Sequence, residues 1–331
     1  MNGRANQAAL RVIGDRESFA EEAARIVADS ARQAISSRGM FHLALSGGNT
    51  PRPVYEKLAA APYNDQIDWS RVQVFFSDER FVPPDSSESN FHMANQALLS
   101  RVPIPERFVH RVSTVDITPE AAAANEEEGI RRVFAVGLTE SPRFDLILLG
   151  MGPDGHTASL FPGTEALNVA DTLVVANYVP RLDAQRITFT YPLLNAARRV
   201  LFLVQGEDKA EMVSRALKGD PEVPAGHVRP EGELIWLLDE AAASRLPRDT
   251  ARADAWTQAA EGSPVSASAR AGESPAPSDA GEPSLAGAAP DIGEPSAAGP
   301  TEGRGASSVT TTSGAEDQDA SGGAHPVEQE T

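Results

Sequence analysis

The residues best suited to chemistry stand in one short stretch, Phe144-Asp145-Leu146-Ile147-Leu148-Leu149-Gly150-Met151-Gly152-Pro153-Asp154-Gly155-His156-Thr157. Its first half is a continuous apolar run, the pattern of a strand buried on both faces of a parallel sheet. It then breaks into glycines and ends on Asp154-Gly155-His156. In open α/β sheets, ligands bind just past the carboxyl ends of the strands. An imidazole titrates ordinarily at about 6.5, so one delivered to such an end can exchange a proton near neutral pH. His156 is therefore the leading candidate for a general base.

Other strand ends carry polar clusters of the same kind. Ser46-Gly47-Gly48-Asn49-Thr50-Pro51 joins an apolar run to a helical pattern, which leaves backbone N–H groups free to meet an anion. It lacks the Gly-Lys-Ser/Thr ending of a nucleotide loop, so a sugar phosphate fits better than ATP. Ser77-Asp78-Glu79-Arg80 also follows an apolar run. Asp78 and Arg80 could be a surface ion pair worth only about 0–1 kcal/mol. Their place after a strand argues for a cleft, where Arg80 could grip a phosphate through two parallel hydrogen bonds. Lys209, one of only three lysines with Lys57 and Lys218, opens a helix after another strand. Arg186 precedes a strand and is equally compatible with a structural role. Gly150, Gly152 and Gly155 satisfy G-x-G-x-x-G, but Pro153 and Pro162-Gly163 leave no room for the helix a dinucleotide site needs. His42, His92, His110 and His227 show no metal-ligand spacing.

The elements that must position these groups alternate in type. Strands are expected at 40–45, 72–76, 144–149, 172–175, 187–190, 200–204 and 234–237. Helices are expected from Ser18, a capping-box residue with Glu21, to a cap at Gly39; at 53–60; at 91–99; from Thr118-Pro119 to 136; and at 209–218. The pattern is that of an α/β domain with a mostly parallel open sheet flanked by helices, spanning 1–246. From 247 to 331 large apolar residues almost vanish. Four Arg, no Lys and fourteen Asp or Glu lie between 248 and 331, among Ala, Gly, Ser and Pro. This composition is of the disordered type.

The formal net charge of −18 and the lack of a basic stripe argue against nucleic acid as a partner. A local cationic pocket for a small anion remains compatible with it. With no cysteine, disulfides and thiolate metal sites are excluded. No apolar run is long enough to span a bilayer and the first residues lack a signal-peptide core, so a cytoplasmic protein is expected.

Taken in order, the blocks Ser46–Pro51, Ser77–Arg80, Ser89-Asn90-Phe91, Gly150–Pro162, Arg186-Ile187-Thr188 and Gly206-Glu207-Asp208-Lys209-Ala210 resemble those of the 6-phosphogluconolactonases. The resemblance runs from about Ile13 to Leu238. It implies hydrolysis of 6-phospho-D-glucono-1,5-lactone to 6-phosphogluconate, the second step of the oxidative pentose phosphate pathway. The implied fold is shared with glucosamine-6-phosphate deaminases and ribose-5-phosphate isomerases, and no metal or other cofactor is implied. By the same resemblance His156 is the general base and Asp78 a supporting acid. Ser46, Gly47, Arg80, Arg186 and Lys209 match ligand positions, mainly for the phosphate. Gly48, Asn49, Thr50, Asn90, Asp154 and Gly155 lie in the same motifs and are further candidate substrate contacts.

A deaminase would carry a Glu directly before Pro-Gly, where this chain has Phe161 before Pro162-Gly163. A sugar-phosphate-sensing module would be expected to add a helix-turn-helix, and none is apparent. The expected protein is thus a monomeric enzyme acting on a small sugar phosphate, without nucleic-acid or membrane partners.

Overall fold

The computed structural model describes residues 8–247. The tail expected from 247 onward lies, from 248, outside the described residues. Among the described residues the strands are β1 Ala9–Ile13, β2 Phe41–Leu45, β3 Val72–Phe76, β4 Asp78–Arg80, β5 Leu146–Leu149, β6 Val174–Val179, β7 Ala184–Phe189, β8 Arg199–Val204 and β9 Glu233–Asp239. The helices are α1 Arg16–Arg38, α2 Arg52–Leu58, α3 Tyr63–Gln66, α4 Asn90–Ala97, α5 Pro119–Phe134, α6 Tyr191–Asn195 and α7 Ala210–Leu217.

Six strands form one all-parallel sheet in the order β1-β9-β8-β5-β2-β3. Both faces are covered, which is why its central strands read as unbroken apolar runs. Alternate residues point to opposite sides. Leu43, Leu45, Leu146, Leu148, Leu201 and Leu203 pack with α1, α2 and α4. Ala44, Ile147, Leu149, Val200, Phe202 and Val204 enter a second core with α5, α6 and α7. A smaller antiparallel sheet, β4-β7-β6, stands beside the large one.

Helix ends follow local chemistry, with one correction. α1 begins at Arg16 and is capped by Asp15, whose carboxylate accepts from Ser18 N at 2.9 Å, so Ser18 is not its cap. Gly39 closes it as expected, in the left-handed region at φ 84°. Thr118 caps α5 by accepting from Ala121 N at 3.2 Å, with Pro119 in the first turn. α5 stops at Phe134, two residues short of the expected end.

Four strands differ from the sequence expectation. β1 was not anticipated; it is a half-buried edge strand held by pairing with β9. Ser77–Arg80 is expected only as the end of the preceding strand, yet Asp78–Arg80 forms a strand of the second sheet. β6 and β7 extend to the polar residues Asn177, Tyr178, Gln185 and Arg186 because they pair with each other across a tight turn. Among the described residues, no helix is long and apolar enough to cross a membrane.

Candidate active site

The carboxyl ends of β2, β5 and β8, neighbours in the large sheet, open onto a cleft of about 480 Å³. β2 delivers Ser46–Pro51, β5 delivers Gly150–Gly152 and His156, and β8 delivers Gln205 and Lys209. The small sheet closes the side with Asp78, Arg80 and Arg186, and the β6–β7 turn adds Arg181 and Leu182. This is the strand-end location where ligands bind in open α/β sheets.

The turn after β5 does not run into a helix; the next regular element is a short 3₁₀ turn at Glu165–Asn168. Instead the chain folds back on itself. Gly152 N donates to His156 O at 2.9 Å, and Thr157 Oγ1 donates to Gly150 O at 2.9 Å. A Cβ on Gly152 would overlap the His156 ring, so glycine alone permits this close approach. Gly155 sits at φ 80° and faces Val223, away from the cleft.

His156 Nδ1 lies 2.5 Å from Asp154 Oδ1. Burial by itself would raise the Asp154 carboxyl. The hydrogen bond from His156, its charge and that of Arg181 outweigh burial and bring it down to about 2. An ionised carboxylate only accepts, so Nδ1 donates to it, and in the neutral ring Nε2 is then the nitrogen that carries the lone pair. Arg181 Nη2 stands 2.6 Å from the other oxygen of Asp154, an ion pair without hydrogen-bond geometry, since Oδ2 is buried with no hydrogen-bond donor on it.

Three further cations line the same cleft as His156. Arg80 and Arg186 are direct cross-strand partners on β4 and β7. Burial, and next the charge of Arg80, lower the pKa of Arg186. Like charges opposite each other on a sheet repel, and an anion between them would relieve both. Lys209 lines the cleft as well, with a mostly buried side chain ion-paired to Asp208. Arg80 Nη1 also donates to Glu88 O at 2.5 Å.

Asp78 does not touch His156. Its Oδ2 accepts from Ser159 Oγ at 2.7 Å, and Asn90 Nδ2 donates to its backbone oxygen at 2.9 Å. The carboxylate that holds His156 is Asp154, a residue expected among the substrate contacts. Neighbouring Glu79 faces the N-terminus of α4, accepting from Asn90 N at 2.6 Å and Phe91 N at 2.8 Å. Burial raises its pKa against those bonds.

Ser46, Gly47, Gly48, Asn49, Thr50, Asp78, Arg80, His156, Arg186 and Lys209 all line the cleft. Asn90, Asp154 and Gly155 stand behind it. Asn90 packs so tightly on Gly47 that a Cβ there would overlap Asn90 Oδ1. Ser46 is held by Tyr55, whose hydroxyl donates to Ser46 O at 2.8 Å. Ser46 Oγ and Asn90 Oδ1 are buried without a protein partner. Sequence reasoning missed Ser159 and Arg181. The Pro180-Arg181 turn carries no local signal of a site, and only the β6–β7 pairing brings it to Asp154 and Phe161. Phe161, noted as the residue in place of a deaminase Glu, lines the cleft beside His156.

The remaining histidines have other partners. His42 lies near Asp145, His110 Nε2 near Gln73 Oε1, His92 near Gln96 and His227 near Pro221 O. Among the described residues, no group of three or more His, Asp or Glu could hold a metal ion.

Comparison with known proteins agrees with this geometry. The family model described as glucosamine-6-phosphate isomerases/6-phosphogluconolactonase matches residues 14–236. A 6-phosphogluconolactonase of Nostoc sp. is 41% identical over 241 residues, covering 72% of this chain and 98% of the relative. One of Synechocystis sp. is 44% identical over 239 residues, covering 71% and 97%. The crystal structure of 6-phosphogluconolactonase from Thermotoga maritima superposes with a TM-score of 0.62 at 33% identity, covering 70% of this chain and 99% of that one. That of the Trypanosoma brucei 6-phosphogluconolactonase gives 0.65 at 29%, covering 73% and 100%. A monomeric glucosamine-6-phosphate deaminase shares the fold, with a TM-score of 0.60 at 22% identity. The strand-end histidine cleft therefore sits in a chain that belongs to the glucosamine-6-phosphate isomerase/6-phosphogluconolactonase family.

Proposed function

We infer that this chain hydrolyses 6-phospho-D-glucono-1,5-lactone to 6-phospho-D-gluconate, in the oxidative pentose phosphate pathway, with His156 as general base. The observation behind the reading is the cleft itself: an imidazole held by an ionised carboxylate shares one cleft with Arg80, Arg186 and Lys209. Arg80, Arg186 and Lys209 take the 6-phosphate. The phosphate lies far from the reacting carbon, so its binding energy orients the lactone.

His156 Nε2 removes a proton from a water as that water's oxygen bonds to C1. The carbonyl oxygen becomes an oxyanion, which the backbone amides of Gly47–Asn49 stabilise. When the intermediate collapses, the bond between C1 and the ring oxygen breaks. The proton on His156 passes to that oxygen, leaving an open-chain acid that ionises in water. Asp78, with Ser46 and Asn90 near it, binds substrate hydroxyls.

Phe161 argues against a deaminase. Its phenyl ring can neither give nor take the proton needed to open a sugar ring. The reading also carries a cytoplasmic setting and a monomeric enzyme. The deciding experiment measures hydrolysis of freshly generated 6-phosphogluconolactone above the spontaneous rate. A rate equal to the spontaneous one, with folded protein present, sinks the assignment.

A further inference from the structure

Asp154 is not the only residue that holds His156. The imidazole ring lies on Phe161, with centroids 4.0 Å apart and planes 23° from parallel. Arg181 Cζ stands 4.8 Å from the Phe161 centroid, while the same guanidinium pairs with Asp154 Oδ2 at 2.6 Å. The contacts form a closed circuit: His156 to Asp154, Asp154 to Arg181, Arg181 to Phe161, and Phe161 back to His156.

We propose that Phe161 and Arg181 are positioning residues that lock the His156 imidazole in one orientation and one tautomer, and that Arg181 serves Asp154 rather than the substrate phosphate. The proposal rests on the reading of His156 as the base. Each contact removes a different freedom. The hydrogen bond to Asp154 fixes Nδ1 but leaves the ring able to rock about that bond. Stacking on a buried aromatic face removes the rocking. A free carboxylate could offer either oxygen, or both, to the imidazole. Arg181 places its charge 2.6 Å from Oδ2, which holds that oxygen toward the guanidinium and leaves Oδ1 for His156. The Phe161 ring in turn attracts the guanidinium and helps hold it in place.

The origins of the four residues support a clamp. Asp154, His156 and Phe161 come from one turn after β5, which by itself could flex. Arg181 comes from the 3₁₀ turn Pro180–Leu182 between β6 and β7, and thus ties that turn to the small sheet. The cations assigned to the phosphate line the same cleft but have other neighbours. Arg80 and Arg186 face each other across a strand pair, without a carboxylate from the catalytic turn. Arg181, half exposed, directs its charge onto the carboxylate that carries the base.

The test uses Arg181→Met, which keeps an apolar stem, and Phe161→Leu, which keeps apolar volume without a ring face. Three quantities are read: kcat, the Kd of 6-phosphogluconate, and the ring ¹⁵N shifts of His156 in the ligand-free enzyme. A misplaced base is costly, so kcat falls on the order of tenfold or more in each variant, while the Kd stays close to wild type. The ring ¹⁵N shifts move from those of a pure Nδ1–H tautomer toward an average of two. Arg181→Lys and Phe161→Tyr recover most of the loss. Melting curves confirm folding, and if Phe161→Leu unfolds, Arg181→Met decides alone. Unchanged ring ¹⁵N shifts overturn the clamp. A much weaker Kd for 6-phosphogluconate with kcat intact also overturns it, and makes Arg181 a substrate ligand. The ¹⁵N measurement needs no substrate, so it separates failure of the clamp from failure of the lactonase reading.

Discussion

Glu126 sits where α5 should be apolar. The buried face of that helix is Ala122, Ala123, Glu126 and Ile130, and Glu126 Oε1 has no hydrogen-bond partner. The side chain borders a cavity of about 310 Å³ with Phe75, His110, Ser113 and Asn125. Burial pushes its carboxyl up to about 8. In the unfolded chain a glutamate titrates near 4.3. The folded state therefore binds the proton more tightly, and stability falls as pH rises from the unfolded value through the folded one. Linkage with those two values gives a penalty of about 1 kcal/mol at pH 5, close to 4 at pH 7, and near 5 once pH exceeds 8. Glu126→Gln keeps the shape and cannot ionise. Its stability relative to wild type should rise by roughly 2–3 kcal/mol between pH 5 and pH 7, and level off above pH 8. Urea unfolding of both proteins at pH 5, 6, 7 and 8 measures this difference. Parallel curves would refute the reasoning, because they would mean that Glu126 ionises in the folded protein without penalty.

Further outcomes concern the cleft. His156→Ala should stay folded and lose about 10²–10⁴-fold in kcat; near-wild-type turnover removes His156 as the base. Asp154→Asn should also depress kcat, because an amide can hold the imidazole in the wrong tautomer; titrating activity against pH alongside wild type checks it. Arg80→Ala and Lys209→Ala should weaken 6-phosphogluconate more than unphosphorylated gluconate, by about 1.5–3 kcal/mol each, and equal calorimetric losses for both ligands show that neither reads the phosphate. Gly47→Ala forces a methyl into Asn90 and should cost about 1–3 kcal/mol of stability; an unchanged melting temperature means that Asn90 yields freely.

Local sequence determined much of this protein. The strand runs before Ser46, Ser77 and Gly150 are apolar because a parallel sheet covered on both faces demands it, so their ends were readable and the cleft residues with them. Gly39 and Thr118-Pro119 mark helix ends through chemistry confined to a few neighbouring residues. His156 was legible for the same reason: a titratable residue stands in the short turn that follows a buried strand. Other features depended on partners distant in the chain. β1 is an edge strand, and β4, β6 and β7 include polar residues, so their ladders exist only through pairing. That pairing sets Arg80 opposite Arg186 and swings Arg181 onto Asp154. Spacing along the chain could not say which carboxylate, Asp78 or Asp154, would reach His156. The fold of the turn after β5 decided it, because a hydrogen bond depends on where side chains meet in space, and that meeting is set by packing rather than by local pattern.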